Sequence, residues 1–325
     1  MFSGFKLIIP VIWMSAIVYA SLITILSIGF TLTHMTAKIP NFAHGTYAGF
    51  GVYVSFICVR YFEMSPYYGF PASFLLGGLM GIFLYKIVVS TLRRMGGGAI
   101  VLTISTIAIQ IFMAQFQHIF AYWTRVTYGL MSYGFLLKKE DFKIFGFQGI
   151  FPVSLFLVIT ISLGLRWMLT KTKFGIAMKA SAEDPELSQV LGINIEKIQV
   201  ASWFITGGMA CLAGALLPMW FMGSPGAGAR LLTSCMAGSL LGGLNNIYGA
   251  IIGGFTIGIV EIILTAQGMK TFGLWVGEYR PIIPMLATIA ILLIEPSGVT
   301  GWWARWRVGG GYERLMTRLG RSKEE

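Results

Sequence analysis

The sequence predicts an all-α polytopic membrane protein of about nine helices (eight to ten), some of them partly broken, and three observations carry that fold class. Of 325 residues, 56% are hydrophobic and 11% charged, with a mean hydropathy of +0.75, whereas a soluble surface needs charge at roughly a quarter of positions. The apolar residues come in long runs, most of them sufficient to cross about 30 Å of hydrocarbon at about 1.5 Å per residue. The basic residues behind the net charge of +11 fall mostly in short segments between those runs, the distribution of the positive-inside rule and not that of a nucleic-acid-binding surface.

Nine apolar stretches follow one another: Leu7–Phe30, Asn41–Val59, Phe70–Thr91, Ala99–Phe120, Phe151–Leu169, Val200–Phe221, Leu231–Gly243, Tyr248–Gln267 and Pro281–Ile294. The first runs on without a small-residue cleavage pattern, which predicts a retained span and not a cleaved signal. The seventh and ninth are short for a full crossing, which predicts broken helices buried in protein. Between the fourth and fifth lies the longest connection on its side, 121–149. There Tyr122, Trp123, Tyr128, Tyr133 and Phe135 mix with Lys138, Lys139, Glu140, Asp141 and Lys143, the composition of an interfacial belt or of a landing surface for another protein. Residues 1–300 form one membrane domain, and 301–325 read as a basic, Trp-containing tail suited to an anionic membrane surface.

The stretch Lys171–Gln199 is the long polar interval of the second half. Asp184 before Pro185 is a helix start, since the carboxylate accepts from free backbone N–H groups while Pro fits the first helical position. Gly192 after Leu191 is a stop. Leu187, Val190 and Leu191 fall at i, i+3 and i+4, so this short helix has one apolar face that calls for a partner. Asn194 caps the helix after it. With this loop in the cytoplasm, alternation of sides places fourteen Lys and Arg on its side and nine on the other, which predicts a cytoplasmic loop and tail.

Glycine pairs at four-residue spacing, Gly45/Gly49, Gly77/Gly81, Gly238/Gly242, Gly249/Gly253 and Gly254/Gly258, predict close helix crossings. Gly242, Gly243, Asn245, Asn246 and Gly249 together predict a sharp reversal between two spans, a candidate gate. Polar groups inside apolar runs need partners or a cavity. Asn41 and His44 serve either a passing solute or the start of the second span. Gln110, Gln115, Gln117 and His118 predict interhelical hydrogen bonds, and Glu261 predicts a cavity, a basic partner or a protonated carboxyl. Cys58, Cys211 and Cys235 sit in apolar runs without metal-ligand spacing. The sequence has no G-x-x-x-x-G-K-[ST], H-E-x-x-H or G-x-S-x-G, so it carries no ATP motor, zinc-hydrolase helix or nucleophile elbow of its own.

Three blocks stand together. The first is Gly175, Lys179, Ala180, Ala182 and Asp184 followed by Leu191-Gly192-Ile193-Asn194; the second is Asn41-Phe42-Ala43-His44-Gly45. The third is Leu241-Gly242-Gly243-Leu244 with Gly249-Ala250 and Gly253-Gly254. Together they resemble the branched-chain amino-acid permeases of ABC transporters, of the LivH type, over about residues 38–300. Lys179 stands where the family usually has Arg, and Glu295-Pro296-Ser297-Gly298-Val299-Thr300-Gly301 replaces its common Arg-Pro-x-Gly-Leu-Phe-Gly ending.

The resemblance implies a permease subunit of an importer in a prokaryotic inner or plasma membrane. It implies four kinds of partner: a second homologous, LivM-like permease, two ABC ATPase subunits that hydrolyse ATP, an extracytoplasmic solute-binding protein and membrane lipid. This chain would bind no cofactor and no nucleic acid. Gly175, Lys179, Ala180, Ala182, Asp184, Pro185, Leu191, Gly192 and Asn194 become the residues of coupling to the ATPase. Asn41, His44, Gly45, Gly242, Gly243, Asn246 and Glu261 become candidates for the path. The rival expectations are a permease for urea, an amide, a sugar or a nucleoside, an ion-coupled transporter using Glu261, and a membrane enzyme using His34, His44 or His118 with Glu261.

Overall fold

A computed structural model of the chain describes residues 10–144, 146–295 and 297–302. Each of the nine apolar stretches is helical over most of its described residues. The order is α1 (Val11–Ala37), α2 (His44–Arg60), then α3 (Gly69–Leu84), which runs through a π turn at Tyr85–Val89 into α4 (Ser90–Arg94). There follow α5 (Ala99–Tyr128), α6 (Ile150–Lys171), α7 (Lys173–Glu183), α8 (Pro185–Val190), α9 (Ile195–Leu216), α10 (Ala227–Gly242), α11 (Ile247–Phe272) and α12 (Ile282–Ile294). A two-residue antiparallel hairpin, β1 (Lys143–Ile144) with β2 (Phe147–Gln148), decorates the α5–α6 connection. Among the described residues, seven helical segments are long and apolar enough to cross a membrane; α2 and α10, with 17 and 16 residues, fall outside them.

The helices define two ends. The near end holds the turns 38–43, 95–98, 172–194 and 243–246; the far end holds 61–68, 129–149, 220–226 and 273–281. In the middle stands α1, packed by α9, α10 and α11. Its hydroxyls are spent inward: Ser27 Oγ donates to the Cys235 carbonyl at 3.0 Å, Ser239 Oγ returns a bond to the Ser27 carbonyl at 3.0 Å, and Thr36 Oγ1 meets Ser202 Oγ at 2.9 Å. Lipid tails offer no hydrophobic drive between helices, so such crossings rest on close contact and hydrogen bonds. Small residues make that contact here. A Cβ added at Gly51 would overlap the Cys211 carbonyl, and one at Gly214 would overlap the Ala48 carbonyl, which locks α2 onto α9 backbone to backbone.

Several boundaries differ from the sequence expectation, each for a physical reason. Helix α1 continues past Phe30 to Ala37 because its last turns are inside the protein, where Thr33 and Thr36 bond back to carbonyls one turn earlier. Helix α5 runs to Tyr128, so Tyr122, Trp123 and Tyr128 belong to a helix end and not to a loop. The segment 38–43 turns back: His44 lies beside Leu26 and Gly29 of α1, eight or more residues before the end of α1 and so roughly 12 Å or more above it. Ile39, Asn41 and Ala43 are buried, so this is irregular backbone at depth, tolerated because protein surrounds it. It also explains why α2 is short. Helix α12 stops at Ile294 and helical turns resume over 298–302, giving an interrupted apolar stretch of 21 residues. Of the polar residues on α5, Gln117 makes the expected interhelical bond, to the Thr46 carbonyl at 2.9 Å, whereas Gln115 and His118 point outward. The basic tail expected over 301–325 lies outside the described residues except for 301 and 302.

Candidate functional site

The polar interval of the near end folds as two helices, one of which the sequence reading did not resolve. Helix α7 starts at Thr172, whose Oγ1 accepts from Gly175 N at 3.0 Å and donates to the Met168 carbonyl at 2.6 Å. Gly175 lies so close to Met168 that a Cβ would overlap its carbonyl oxygen, and this contact sets the bend between α6 and α7. Met178, Ser181 and Ala182 are buried beneath α7. The signal was the Thr-x-x-Gly start, masked by a run of charged and small residues.

Helix α8 is bounded as its residues require. Asp184 Oδ1 accepts from Leu187 N at 3.0 Å, Pro185 occupies the first helical position, and Gly192 closes the helix at φ +81°, a conformation that favours glycine. Asn194 Oδ1 then accepts from Lys197 N at 3.0 Å to start α9. Removing the first of these caps, in Asp184→Ala, is expected to weaken α8 by about 1 kcal/mol. Amide exchange at Leu187 should then accelerate roughly fivefold; unchanged exchange would show that α8 is held from elsewhere.

Leu187, Val190 and Leu191 are 56%, 84% and 70% exposed. They form a largely exposed apolar face at the near end. Behind it, a cavity of about 490 Å³ opens between α1, α6, α7 and the α10–α11 turn, where Lys179 and Ala182 meet Asn246, Lys38, Arg166 and Glu183. The coupling candidates of α7 and the path candidate Asn246 are thus brought together. Ala180 sits half-buried on α7, while Asp184, Pro185 and Asn194 stay on the surface. Helix α7 packs against both α8 and α1 and shares the cavity wall with the α10–α11 turn.

The remaining path candidates separate into three places. Asn41, His44 and Gly45 form the buried start of α2. His44 Nε2 stands 3.1 Å from the Leu26 carbonyl, Gly45 packs against the Gly228 carbonyl of α10, and Asn41 Oδ1 accepts from Ala43 N at 3.1 Å. Asn41 Nδ2, His44 Nδ1 and Tyr47 Oη are buried there without a hydrogen bond among the described residues, so polar valence is left over at this point. Gly242 lies against the Gly249 backbone, and Gly243, at φ +98°, lies near Thr300, whose Oγ1 donates to the Gly242 carbonyl at 2.7 Å. Neither lines the near-end cavity. Asn246 Oδ1 caps α11 through Tyr248 N at 2.9 Å.

Glu261 finds the basic partner that the sequence left unnamed. Arg280 Nε donates to Glu261 Oε1 at 2.7 Å and Tyr19 Oη donates to the same oxygen at 2.9 Å. The guanidinium also lies over the Tyr19 ring, 3.8 Å from its centroid. At the far end, Asp141 is not a solvated charge: it accepts from Tyr67 Oη at 2.6 Å and from the Ile150 amide at 3.0 Å, tying the α5–α6 connection to the turn before α3 and to the start of α6. Lys138 Nζ sits 4.1 Å from the Trp220 ring centroid. The polar connection 129–149 is therefore a folded cap on the far end.

Comparison with known proteins gives the same frame. The family described as "Branched-chain amino acid transport system / permease component" matches residues 12–292. A curated relative from Methanocaldococcus jannaschii, "Probable branched-chain amino acid transport permease protein LivH", is 38% identical over 286 residues, covering 88% of this chain and 90% of its own. "High-affinity branched-chain amino acid transport system permease protein BraD" of Pseudomonas aeruginosa is 26% identical over 288 residues, covering 85% and 91%. Among solved structures, PsaBC from Streptococcus pneumoniae in complex with Fab aligns over 88% of this chain and 92% of that one, with a TM-score of 0.50 at 11% identity, a likeness of fold alone.

Proposed function

This chain belongs to the family of branched-chain amino-acid transport permeases, and from that premise we propose how it works as the membrane permease of an ABC importer for branched-chain amino acids. An ATPase and an extracytoplasmic solute-binding protein are its working partners. ATP hydrolysis falls to the ATPase, as the chain has no phosphate-binding loop of the Walker type. The observation that carries the reading is the exposed Leu187–Val190–Leu191 face on a helix capped at both ends. A surface of that kind, on a helix packed against α7, is what an ATPase can grip. The proposal places the near end in the cytoplasm, with a second, homologous permease beside this chain and one ATPase under each. ATP and ADP states of the ATPase hold α8 differently, and that difference biases the permease toward one face of the membrane or the other. Glu261 is engaged by Arg280 and Tyr19, an arrangement that favours a structural or solute-contacting charge over an ion-coupling carboxylate.

The test is co-purification in mild detergent followed by reconstitution, comparing the natural chain with one whose residues 183–192 are replaced by a flexible linker. The natural chain is expected to bring a P-loop ATPase and a second permease with it and to take up leucine in an ATP-dependent manner, while the linker variant loses the ATPase. A chain that purifies alone and transports without ATP would overturn the reading.

A further inference from the structure

The far half of the molecule contains a second cavity, of about 400 Å³, bounded by α1, α10, α11 and the turn before α12. That volume falls within the range of roughly 300–1,000 Å³ usual for small-molecule pockets. Its charges balance: Arg230 and Glu278 stand exposed at its rim, and Glu261 and Arg280 line it from within. Its remaining walls are mainly apolar, with Leu217, Phe221 and Leu231 among them.

The inner pair is made in an unusual way. An arginine and a carboxylate left to themselves pair through two parallel bonds. Here a single bond joins Nε to Oε1, and Oε1 takes the Tyr19 hydroxyl as well. Glu261 Oε2 and Arg280 Nη2 are left buried with no hydrogen bond among the described residues, although Glu261 is only 2% exposed. Buried groups of this kind are costly unless something satisfies them. The unused valences are one anionic acceptor and one cationic donor on neighbouring side chains. A cation fills the first and strands the second, and an anion does the reverse. A zwitterion fills both.

We propose that this cavity is a subsite for a zwitterionic α-amino acid, with Glu261 receiving the ammonium, Arg280 receiving the carboxylate and the apolar wall receiving the side chain. The proposal rests on the importer reading above and adds to it a place where this chain itself meets the solute. Both free atoms are shielded in the present conformation, so the ligand engages them as the pair turns toward the cavity that both residues line.

The experiment uses the assembled permease–ATPase complex in lipid nanodiscs without binding protein, and measures displacement of radiolabelled L-leucine. The competitors are L-leucine, isoamylamine, which lacks the carboxylate, and 4-methylpentanoate, which lacks the ammonium. Leucine is expected to compete at least tenfold better than either half-molecule. Glu261→Gln should remove most of the advantage that the ammonium confers, and Arg280→Gln most of that conferred by the carboxylate. Met222→Trp, which fills the cavity from an exposed position, should abolish binding without touching the pair, and so keeps the test alive if a pair variant misfolds. Equal competition by all three probes, or leucine binding untouched by Met222→Trp, overturns the subsite. A complex that imports leucine with its binding protein yet shows no direct leucine binding also overturns the subsite and leaves the importer reading in place. A complex that imports no amino acid at all overturns both.

Discussion

Replacing Leu187, Val190 and Leu191 together by serine is expected to cut ATP-driven uptake by at least tenfold and to weaken ATPase binding roughly hundredfold, with no loss of inserted, folded permease. The separation of these effects follows from exposure. The three side chains are more than half exposed, so truncating them removes little packing from this chain. Burying such a side chain against a partner is worth about 1.5–3 kcal/mol, and each 1.4 kcal/mol is tenfold in affinity. Only part of the area converts to affinity, which is why hundredfold and not more is expected from three residues. The helix itself persists, because its caps are Asp184 and Gly192. Titrating purified ATPase against the reconstituted permease, beside a thermal-unfolding curve, separates the two quantities. Unchanged ATPase affinity would move the docking site off α8, and a collapsed unfolding temperature would show that the face is core after all.

The second large effect is expected at the ion pair. Glu261→Leu leaves the partly buried Arg280 guanidinium beside the Tyr19 ring with its acidic partner gone, a change expected at the lower end of the about 3–5 kcal/mol that removing one member of a buried pair costs. The double variant Glu261→Leu/Arg280→Leu removes both charges and is expected to recover most of that loss, since a buried pair and an apolar replacement of similar volume are often close in stability. Thermal unfolding in detergent across the two single variants and the double closes the cycle. Additive losses would mean that the two side chains stabilise the fold independently, against the 2.7 Å contact between them.

Most of the near-end site was legible because its cues are local. Asp184 before Pro185, Gly192 after Leu191 and Asn194 at the next start are punctuation that operates over three or four residues, and each makes the cap its position requires. The glycine pairs were legible for a similar reason, since small residues four apart share a helix face whatever they meet. What hydropathy cannot carry is depth. Residues 38–43 are no more polar than a surface turn, and only the contact of His44 with Leu26 shows that they climb back along α1. Helix α7 was lost because its buried side is built from Gly175, Met178, Ser181 and Ala182, too small and mixed to show as an apolar stripe. Glu261 and Arg280 are 19 residues apart with a turn between them, so nothing in spacing could pair them. The same holds for Asp141 and Tyr67, joined across 74 residues.

The place of α1 bears on how such a chain is made. It precedes in sequence the helices that pack on it, yet it ends in the middle: 67% of its most apolar window is buried, against 11% for α5. Ser202, Cys235, Ser239 and Glu261, which bond to Thr36, Ser27 and Tyr19, arrive 166 to 242 residues later. Until α9, α10 and α11 have been inserted, Tyr19, Ser27 and Thr36 have no such partners, and the small residues of α1 face lipid or the insertion machinery. Assembly is therefore not a matter of adding helices to a finished core. The core closes last, around a helix made before its partners.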